Sequence, residues 1–144
     1  YVVETSIGLD RLFLLVMSES LKEEEVNGDT RTVLKIPPAL APIKCAILPL
    51  VKKDGLPELA QKIYEDLRFD FNTFIEDKDS IGKRYRRMDA IGTPFCVTVD
   101  HESLTQNDVT IRFRDTMEQK RVSIDSLREI IENETSMKKL LKSI

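Results

Sequence analysis

The sequence has few of the side chains on which catalytic and metal sites commonly depend. It contains one histidine, His101, and two cysteines, Cys45 and Cys96. A Cys/His or Ser/His catalytic pair would have to use His101, but this residue follows the strand-like run PFCVTVD in a polar loop, where an exposed histidine is ordinary. The cysteines lie in apolar runs without CxxC spacing, which predicts buried free thiols in a reducing cytoplasm rather than a metal site or a disulfide framework.

Long hydrophobic runs are also absent. No apolar run approaches the ~18 residues that span a bilayer, and the N-terminus has no basic stretch followed by an apolar one, so we expect neither a transmembrane helix nor a signal peptide. We therefore predict a cytoplasmic protein without a membrane partner. The net charge of -3 gives no overall attraction to nucleic acid, so such binding would depend on local clusters of basic residues.

What the sequence does contain is typical of one globular domain with at most a short appendage. Of the 144 residues, 41% are hydrophobic and 33% are charged. After the strand-like YVVETS, residues 9–17 predict a helix that is apolar nearly all round and must be enclosed on several sides. The polar run SLKEEEVNGDTR is interpreted as a connection. Three prolines in IPPALAP mark the predicted boundary between residues 1–36 and 37–144.

The second unit alternates strands and helices. Apolar runs predict strands at residues 43–51, at residues 71–75 and in PFCVTVD and DVTIRFRD, which can pair as a hairpin, with QKRVSI as a short fifth strand. Helical spacing predicts helices over 56–68 and 80–92. A final helix begins near Ser126, whose spacing to Glu129 is that of a capping box. This order predicts an α/β fold with a mixed five-stranded sheet flanked by about three helices.

Polar residues come close together in the opening stretch YVVETSIGLDR. On a strand, Glu4 and Ser6 project to one face, where a carboxylate and a hydroxyl can hold an ammonium group. Gly8 permits a sharp turn into the helix, and Arg11 in its first turn can bind an anion with a bidentate fork. From spacing alone, an exposed edge strand with a surface arginine is the favoured interpretation.

Basic residues crowd the helix predicted over residues 80–92. Lys83, Arg86 and Arg87 share the face opposite the apolar one, with Arg84 at its edge. A solvated helix face is the more frequent explanation of such a run. Apart from Asp79, no acidic residue precedes these cations by one turn, so the cluster is open to an external polyanion.

Alternation in DVTIRFRD places two arginines on one face of a strand. Arg112 and Arg114 lie there with Thr110, opposite an apolar face. Arginines on a sheet face can contact phosphates or stack on unpaired bases, which is a common way for sheets to recognise single-stranded RNA. A salt-bridged surface strand with Asp115 and Glu118 as partners explains these residues equally well.

Taken in order, these features resemble the C-terminal part of the glycyl-tRNA synthetases, which are class II aminoacyl-tRNA synthetases. VVETSIGLDR is similar to the third signature motif of the class, E-x-S-x-G-x-x-R. DSIGKRYRRMDAIGTPFCVTVD is similar to the I-G-x-R-Y-x-x-x-D-x-x-G-x-P signature of the anticodon-binding domain. PPALAPIKCAILPL resembles the entry into that domain, and RFRDTMEQKRV the strand and turn that follow it in glycyl members. The resemblance covers essentially the whole chain and implies the same mixed five-stranded sheet.

The resemblance also implies roles for the opening stretch. Glu4 and Ser6 would line the glycine pocket, with Glu4 facing the substrate ammonium group, while Gly8 and Arg11 would belong to the ATP site, where Arg11 binds phosphates. Motifs 1 and 2 have no counterpart in the sequence. Residues 1–36 would therefore be a remnant of the catalytic domain, and this chain alone is expected to be inactive and without a cofactor. The parent enzyme would use ATP with Mg²⁺ to attach glycine to tRNA through glycyl-adenylate, commonly as a homodimer.

For residues 37–144, the resemblance implies binding of the anticodon stem-loop of glycine tRNA, whose second and third anticodon bases are cytosine, and no DNA partner. Arg112, Arg114 and Asp115 are predicted to lie near these bases. Aspartate can accept a hydrogen bond from the cytosine amino group, and arginine can donate to the cytosine carbonyl. The predicted phosphate contacts are Lys83, Arg86 and Arg87.

Two other interpretations remain open. A stand-alone accessory protein could use this domain to bind RNA or a protein partner without synthetase activity, although it would have no need of the motif 3 residues. Motifs 1 and 2 upstream in the gene would distinguish a synthetase from such a protein. A small α/β enzyme complete in itself would need convergent titratable groups in a pocket, and the lone His101 offers little.

Overall fold

A computed structural model of the protein describes residues 1–142. Before the proline-rich linker, the chain forms one helix and a two-stranded antiparallel hairpin. Their bounds are α1 Leu9–Ser20, β1 Leu21–Val26 and β2 Asp29–Leu34.

The main sheet follows the linker and has five strands. Their bounds are β3 Cys45–Pro49, β4 Thr73–Ile75, β5 Phe95–Val99, β6 Asp108–Phe113 and β7 Gln119–Ser123. The strand order is β4-β3-β5-β6-β7. Strand β3 lies parallel to both neighbours, whereas β5, β6 and β7 pair antiparallel. The predicted mixed sheet is confirmed, including the hairpin of β5 with β6 and the short fifth strand.

Helices cover the two faces of this sheet. Their bounds are α2 Leu56–Leu67, α3 Ile81–Ala90, the short α4 Ser103–Gln106, α5 Leu127–Thr135 and α6 Met137–Lys142. Because successive side chains of a strand point to opposite faces, β3 contributes to two apolar clusters. In the larger one, Ile63 of α2 and Leu127 of α5 pack with Ile47. In the smaller one, Met88 of α3 packs with Leu48.

The polar run that was predicted to be a connection is instead the hairpin of β1 and β2, so that prediction is wrong. Asn27 and Gly28 form its turn with φ of 53° and 84°, the positive pair that a two-residue type I′ turn requires. Alternation buries Arg31 and Val33 of β2, and β2 packs against α3. The hairpin therefore precedes the linker in sequence but packs on the unit that follows it.

The prediction of a strand at the N-terminus is also wrong. Residues 1–8 have no regular secondary structure, because a strand needs a neighbour for its backbone hydrogen bonds and residues 9–142 place none beside them. Helix α1 is formed as predicted, but it is not enclosed, since Phe13 and Leu14 are 65% and 67% exposed. Val16 and Met17 are the positions at which it packs on the residues around the linker. No helix within residues 1–142 is long and apolar enough to cross a membrane.

The predicted capping box of the last helix does not form. Ser126 Oγ donates to the Ser123 carbonyl oxygen at 2.8 Å, and no side-chain hydrogen bond caps α5. Ser123 Oγ instead accepts from the Asp125 N–H at 3.3 Å, which begins a 3-10 turn before the helix. Leu127 and Ile131 are nevertheless buried in the core.

Candidate nucleic-acid interface

A row of polar side chains crosses the sheet beside α3. The strand register pairs Thr98 with Thr110, and Thr110 with Arg121, so these three residues are neighbours on one face. Alternate residues of a strand share a face, which adds Arg112 and its partner Gln119. We call these five residues the polar face.

Arg112 lies where the polar face meets α3. Its Nη1 and Nη2 donate to Asp89 Oδ1 and Oδ2 at 2.8 and 3.0 Å, and its guanidinium carbon is 4.8 Å from the centre of the Tyr85 ring. Arg112 is 6% exposed and Asp89 is 0% exposed. The expectation of an open arginine face is therefore wrong here, because α3 covers this guanidinium. Asp89 takes two of its five N–H donors, which leaves three for other partners.

Tyr85 of α3, which the sequence did not single out as a site residue, borders the polar face. The Tyr85 and Thr98 hydroxyl oxygens are 2.6 Å apart. Burial raises the pKa of Tyr85, so the phenol stays neutral at physiological pH. A neutral phenol can donate and accept hydrogen bonds, and its ring offers an aromatic surface beside Arg112.

Arg114 lies just beyond the end of β6 and is 2% exposed, so it does not share an open face with Arg112. Its guanidinium donates to the Gly92 and Ile36 carbonyl oxygens at 2.8 and 2.9 Å, and to the Asp115 carboxylate at 2.7 and 2.9 Å. Four of its five donors are thus occupied within the protein. Arg114 ties β6 to the linker and to the turn after α3. The Asp115 side chain is 49% exposed and accessible to a ligand.

Arg121 is a candidate site residue that the sequence did not single out, because QKRVSI was interpreted only as a strand. Its Nη2 donates to Asp100 Oδ1 at 3.0 Å and to Asp108 Oδ1 at 2.7 Å, and its Nη1 donates to Thr110 Oγ1 at 3.3 Å. The hydrogen bond from Arg121 lowers the pKa of Asp100. The Arg121 side chain is 28% exposed, which makes it the more open arginine of the polar face.

The basic helix face is less open than its sequence predicted. Arg87 forms ion pairs with Glu76 and Asp79, each at 2.8 Å, and its hydrogen bond lowers the pKa of Asp79. These carboxylates come from the loop before α3, so a search one helical turn upstream misses Glu76. Lys83 is exposed as predicted, and Arg86 is half-buried. The accessible positive charge of α3 therefore comes mainly from Lys83.

Arg84, which was placed at the edge of this basic face, is buried. It is 2% exposed, and its Nη1 donates to the Pro49 and Glu76 carbonyl oxygens at 2.7 and 3.2 Å. Its Nη2 donates to the Leu50 carbonyl oxygen at 3.3 Å. Arg84 therefore joins α3 to the ends of β3 and β4 and is not available to a polyanion.

The cysteines and the histidine form no catalytic pair. Cys45 and Cys96 are buried free thiols, as predicted, and burial raises the pKa of Cys96 to about 12 and also raises the pKa of Cys45. His101 is exposed in its loop, with Nε2 3.2 Å from Asp54 Oδ2. Within residues 1–142, no three His, Cys, Asp or Glu side chains are grouped as metal ligands.

The four residues of the opening motif do not form a pocket among themselves. Glu4, Ser6, Gly8 and Arg11 are all exposed. Among residues 1–142, no hydrogen bond or ion pair engages the side chain of Glu4, Ser6 or Arg11. A Cβ added at Gly8 would meet Arg11 carbons at 3.8 Å or more, so neither a close contact nor a positive φ requires glycine there. Their predicted roles in binding glycine and ATP stay predictions.

Comparison with known proteins agrees with this architecture. The family described as the anticodon-binding domain matches residues 44–134, which is more than half of the chain. The chain belongs to this family. The match thus covers β3 to β7, with α2, α3, α4 and nearly all of α5. The RNA-binding domain of threonyl-tRNA synthetase from Cryptosporidium parvum superposes with a TM-score of 0.63 over 69% of this chain and 25% of that chain. Its sequence identity of 21% shows a shared fold.

Relatives with higher identity extend the match beyond the anticodon-binding domain. The glycine--tRNA ligase of Borrelia hermsii is 52% identical over 93% of this chain and 30% of its own length. The glycine--tRNA ligase of Rhodopirellula baltica is 53% identical over 88% of this chain and 25% of its own length. The resemblance to glycyl-tRNA synthetases that was recognised from the motifs is confirmed. The chain spans less than a third of the length of these relatives.

Proposed function

We propose that this chain binds the anticodon stem-loop of glycine tRNA as the C-terminal part of a glycine–tRNA ligase. The observation that supports this most strongly is the similarity to glycine--tRNA ligases over almost the whole chain. The polar face adds physical support, because a sheet that presents arginine, hydroxyl and aromatic groups suits unpaired bases. Its ligand is an RNA loop rather than duplex DNA.

The bases of the anticodon lie against the polar face in this proposal. The donors of Arg112 that Asp89 does not take, reached through the small exposed part of this side chain, and the exposed carboxylate of Asp115 are complementary to the carbonyl oxygen and the amino group of cytosine. Tyr85 provides a ring on which a base can stack. Arg114 was also predicted to lie near the bases. We assign it no base contact, because four of its five donors are occupied within the protein.

Phosphate contacts come from the exposed edge of α3. Lys83 is the most accessible of the predicted cations, and Arg86 and Arg87 flank it. To bind a phosphate, Arg87 must share its guanidinium with Glu76 or Asp79. We therefore expect Lys83 to contribute more than Arg87 to the salt dependence of binding.

The parent enzyme is proposed to attach glycine to tRNA in the cytoplasm, as a homodimer that uses ATP with Mg²⁺. Glu4 has the negative charge that an ammonium group requires, and Arg11 has the permanent positive charge that a phosphate requires. These residue types fit glycine and ATP, with Ser6 beside the amino acid and Gly8 beside the nucleotide. Because the four residues enclose no pocket within residues 1–142, we expect this chain alone to form no glycyl-adenylate.

The proposal is tested by fluorescence anisotropy with two labelled stem-loops. One has the glycine anticodon, and the other has guanine in place of both cytosines. We expect tighter binding of the cytosine loop. We expect Arg112→Lys to weaken binding of the cytosine loop more than binding of the guanine loop, so that the preference falls. Equal, salt-sensitive binding of both loops would refute anticodon recognition and would favour an accessory module with a basic surface.

A further inference from the structure

A chain of ion pairs, buried except at the half-buried Glu24, connects the hairpin to the polar face. Arg31 of β2 donates from Nη1 to Glu24 Oε2 at 2.7 Å and from Nε to Asp89 Oδ2 at 2.9 Å. Asp89 in turn accepts from both terminal nitrogens of Arg112. Arg31 is 1% exposed and Asp89 is 0% exposed, so water does not compete for these groups. We call Glu24, Arg31, Asp89 and Arg112 the buried ion chain.

The hairpin end of this chain lies outside the anticodon-binding domain as the family defines it. Glu24 and Arg31 precede residues 44–134, and neither lies on the polar face. Arg31 nevertheless reaches a third partner inside the domain, because its Nη2 donates to the Arg114 carbonyl oxygen at 2.5 Å. One guanidinium from the hairpin thus contacts both α3 and the residue that follows β6.

These contacts fix the orientation of Arg112. A buried carboxylate must take its hydrogen bonds from protein donors, and Asp89 Oδ2 is shared between Arg31 Nε and Arg112 Nη2 at 2.9 and 3.0 Å. The bidentate pair then sets the plane of the Arg112 guanidinium. The Tyr85 ring lies 4.8 Å from that group. The remaining donors of Arg112 are therefore held in fixed directions within that plane.

We propose that Arg31 and Asp89 are positioning residues for RNA recognition. They hold the Arg112 guanidinium at the angle at which it distinguishes cytosine from guanine, so the hairpin contributes to specificity without touching RNA. This inference rests on the proposed function. A side chain that is already ordered loses less conformational freedom on binding. Loss of the buried ion chain should therefore weaken binding of the cytosine loop more than binding of the guanine loop.

Arg31→Lys is the decisive variant. It keeps the positive charge near Glu24 and Asp89, but it replaces a fork that reaches three acceptors with a single ammonium group. Its matched control is Arg128→Lys, the same exchange on α5 in an exposed ion pair with Asp66 of α2 at 3.1 Å. Both are measured with the cytosine and guanine stem-loops at a temperature at which circular dichroism shows them folded.

We expect Arg31→Lys to reduce the preference for the cytosine loop by about threefold to tenfold, the range for loss of one preordered side chain. The slope of log K against log salt should not change, because no phosphate contact is lost. Arg128→Lys should change neither quantity. Asp89→Asn should reduce the preference as Arg31→Lys does, and if it fails to fold, Arg31→Lys decides alone.

A double-mutant comparison separates positioning from general destabilisation. If Arg31 acts through Arg112, Arg31→Lys should reduce the preference no further once Arg112→Lys is present. Equal reductions in both backgrounds, or an unchanged preference in folded Arg31→Lys, would overturn the positioning role and leave the proposed function intact. A wild-type chain without any preference for the cytosine loop would overturn both.

Discussion

Gly92 occupies a backbone conformation and a space that both exclude a side chain. Its φ is 81°, and its carbonyl oxygen accepts from Arg114 Nη1 at 2.8 Å. An added Cβ would lie 3.0 Å from Ile36 Cγ2, 3.0 Å from Leu34 Cδ2 and 3.2 Å from the Leu34 carbonyl oxygen. Leu34 and Ile36 are buried, so the end of the hairpin and the start of the linker would have to move.

Gly92→Ala is therefore expected to lower the free energy of unfolding by about 2–5 kcal/mol, the sum of a left-handed residue at about 1–2 kcal/mol and an overpacked methyl group at about 1–3 kcal/mol. Gly28→Ala is the matched control. Its φ of 84° carries the same backbone penalty, but no atom lies within 4 Å of the added Cβ. We expect this control to lower the free energy of unfolding by only about 1–2 kcal/mol.

Urea unfolding followed by circular dichroism measures both differences, provided that the wild type and the variants share one slope against urea. The comparison isolates the steric contribution, because both substitutions add one methyl group at positive φ. If Gly92→Ala is no less stable than Gly28→Ala, the linker and the hairpin do not pack against the turn after α3 as described.

Three further predictions concern burial and charge. Leu127 is buried, so Leu127→Ala should lower the free energy of unfolding by about 2–5 kcal/mol in the same urea assay. A near-neutral change would contradict the place of Leu127 in the core. Because burial raises the pKa of Cys96 to about 12 and also raises that of Cys45, both thiols should react with Ellman's reagent far more slowly in the folded protein than in urea, and equal rates would place them at the surface. Arg121 lowers the pKa of Asp100, so this carboxylate stabilises the fold above its unfolded pKa of about 3.9, and that contribution is lost as the pH falls towards the folded pKa. The stability of Asp100→Asn should therefore decline less than that of the wild type between about pH 5 and pH 3, and parallel curves would contradict the pairing.

The elements with a local signal could be predicted from the sequence. The spacing of Leu59, Ile63 and Leu67 predicts α2, and the structure buries Ile63 and Leu67. Alternation likewise predicts β6 and the face on which Arg112 lies. The hairpin of β1 and β2 was missed because LKEEEV has no apolar alternation, although Asn27 and Gly28 are a strong turn signal.

The surroundings of the candidate site could not be predicted in this way. Arg112 and Asp89 are 23 residues apart, and Arg31 and Asp89 are 58 residues apart. Periodicity shows which face of a strand a side chain occupies, but it does not show which element packs over that face. The prediction of an N-terminal strand was wrong for a related reason. A sequence pattern does not show whether a neighbouring strand is present to pair with the backbone hydrogen-bonding groups of that segment.

The measurement that tests this account most directly is a map of RNA contact on the folded chain. Isotope-labelled protein is titrated with the cytosine stem-loop, and the chemical shifts of its backbone amides are followed by NMR. We predict the largest changes in β5, β6 and β7 along the polar face and in α3 near Lys83, with little change in α2 and α5 on the opposite face of the sheet. Changes confined to α2 and α5, with the polar face unaffected, would contradict the account.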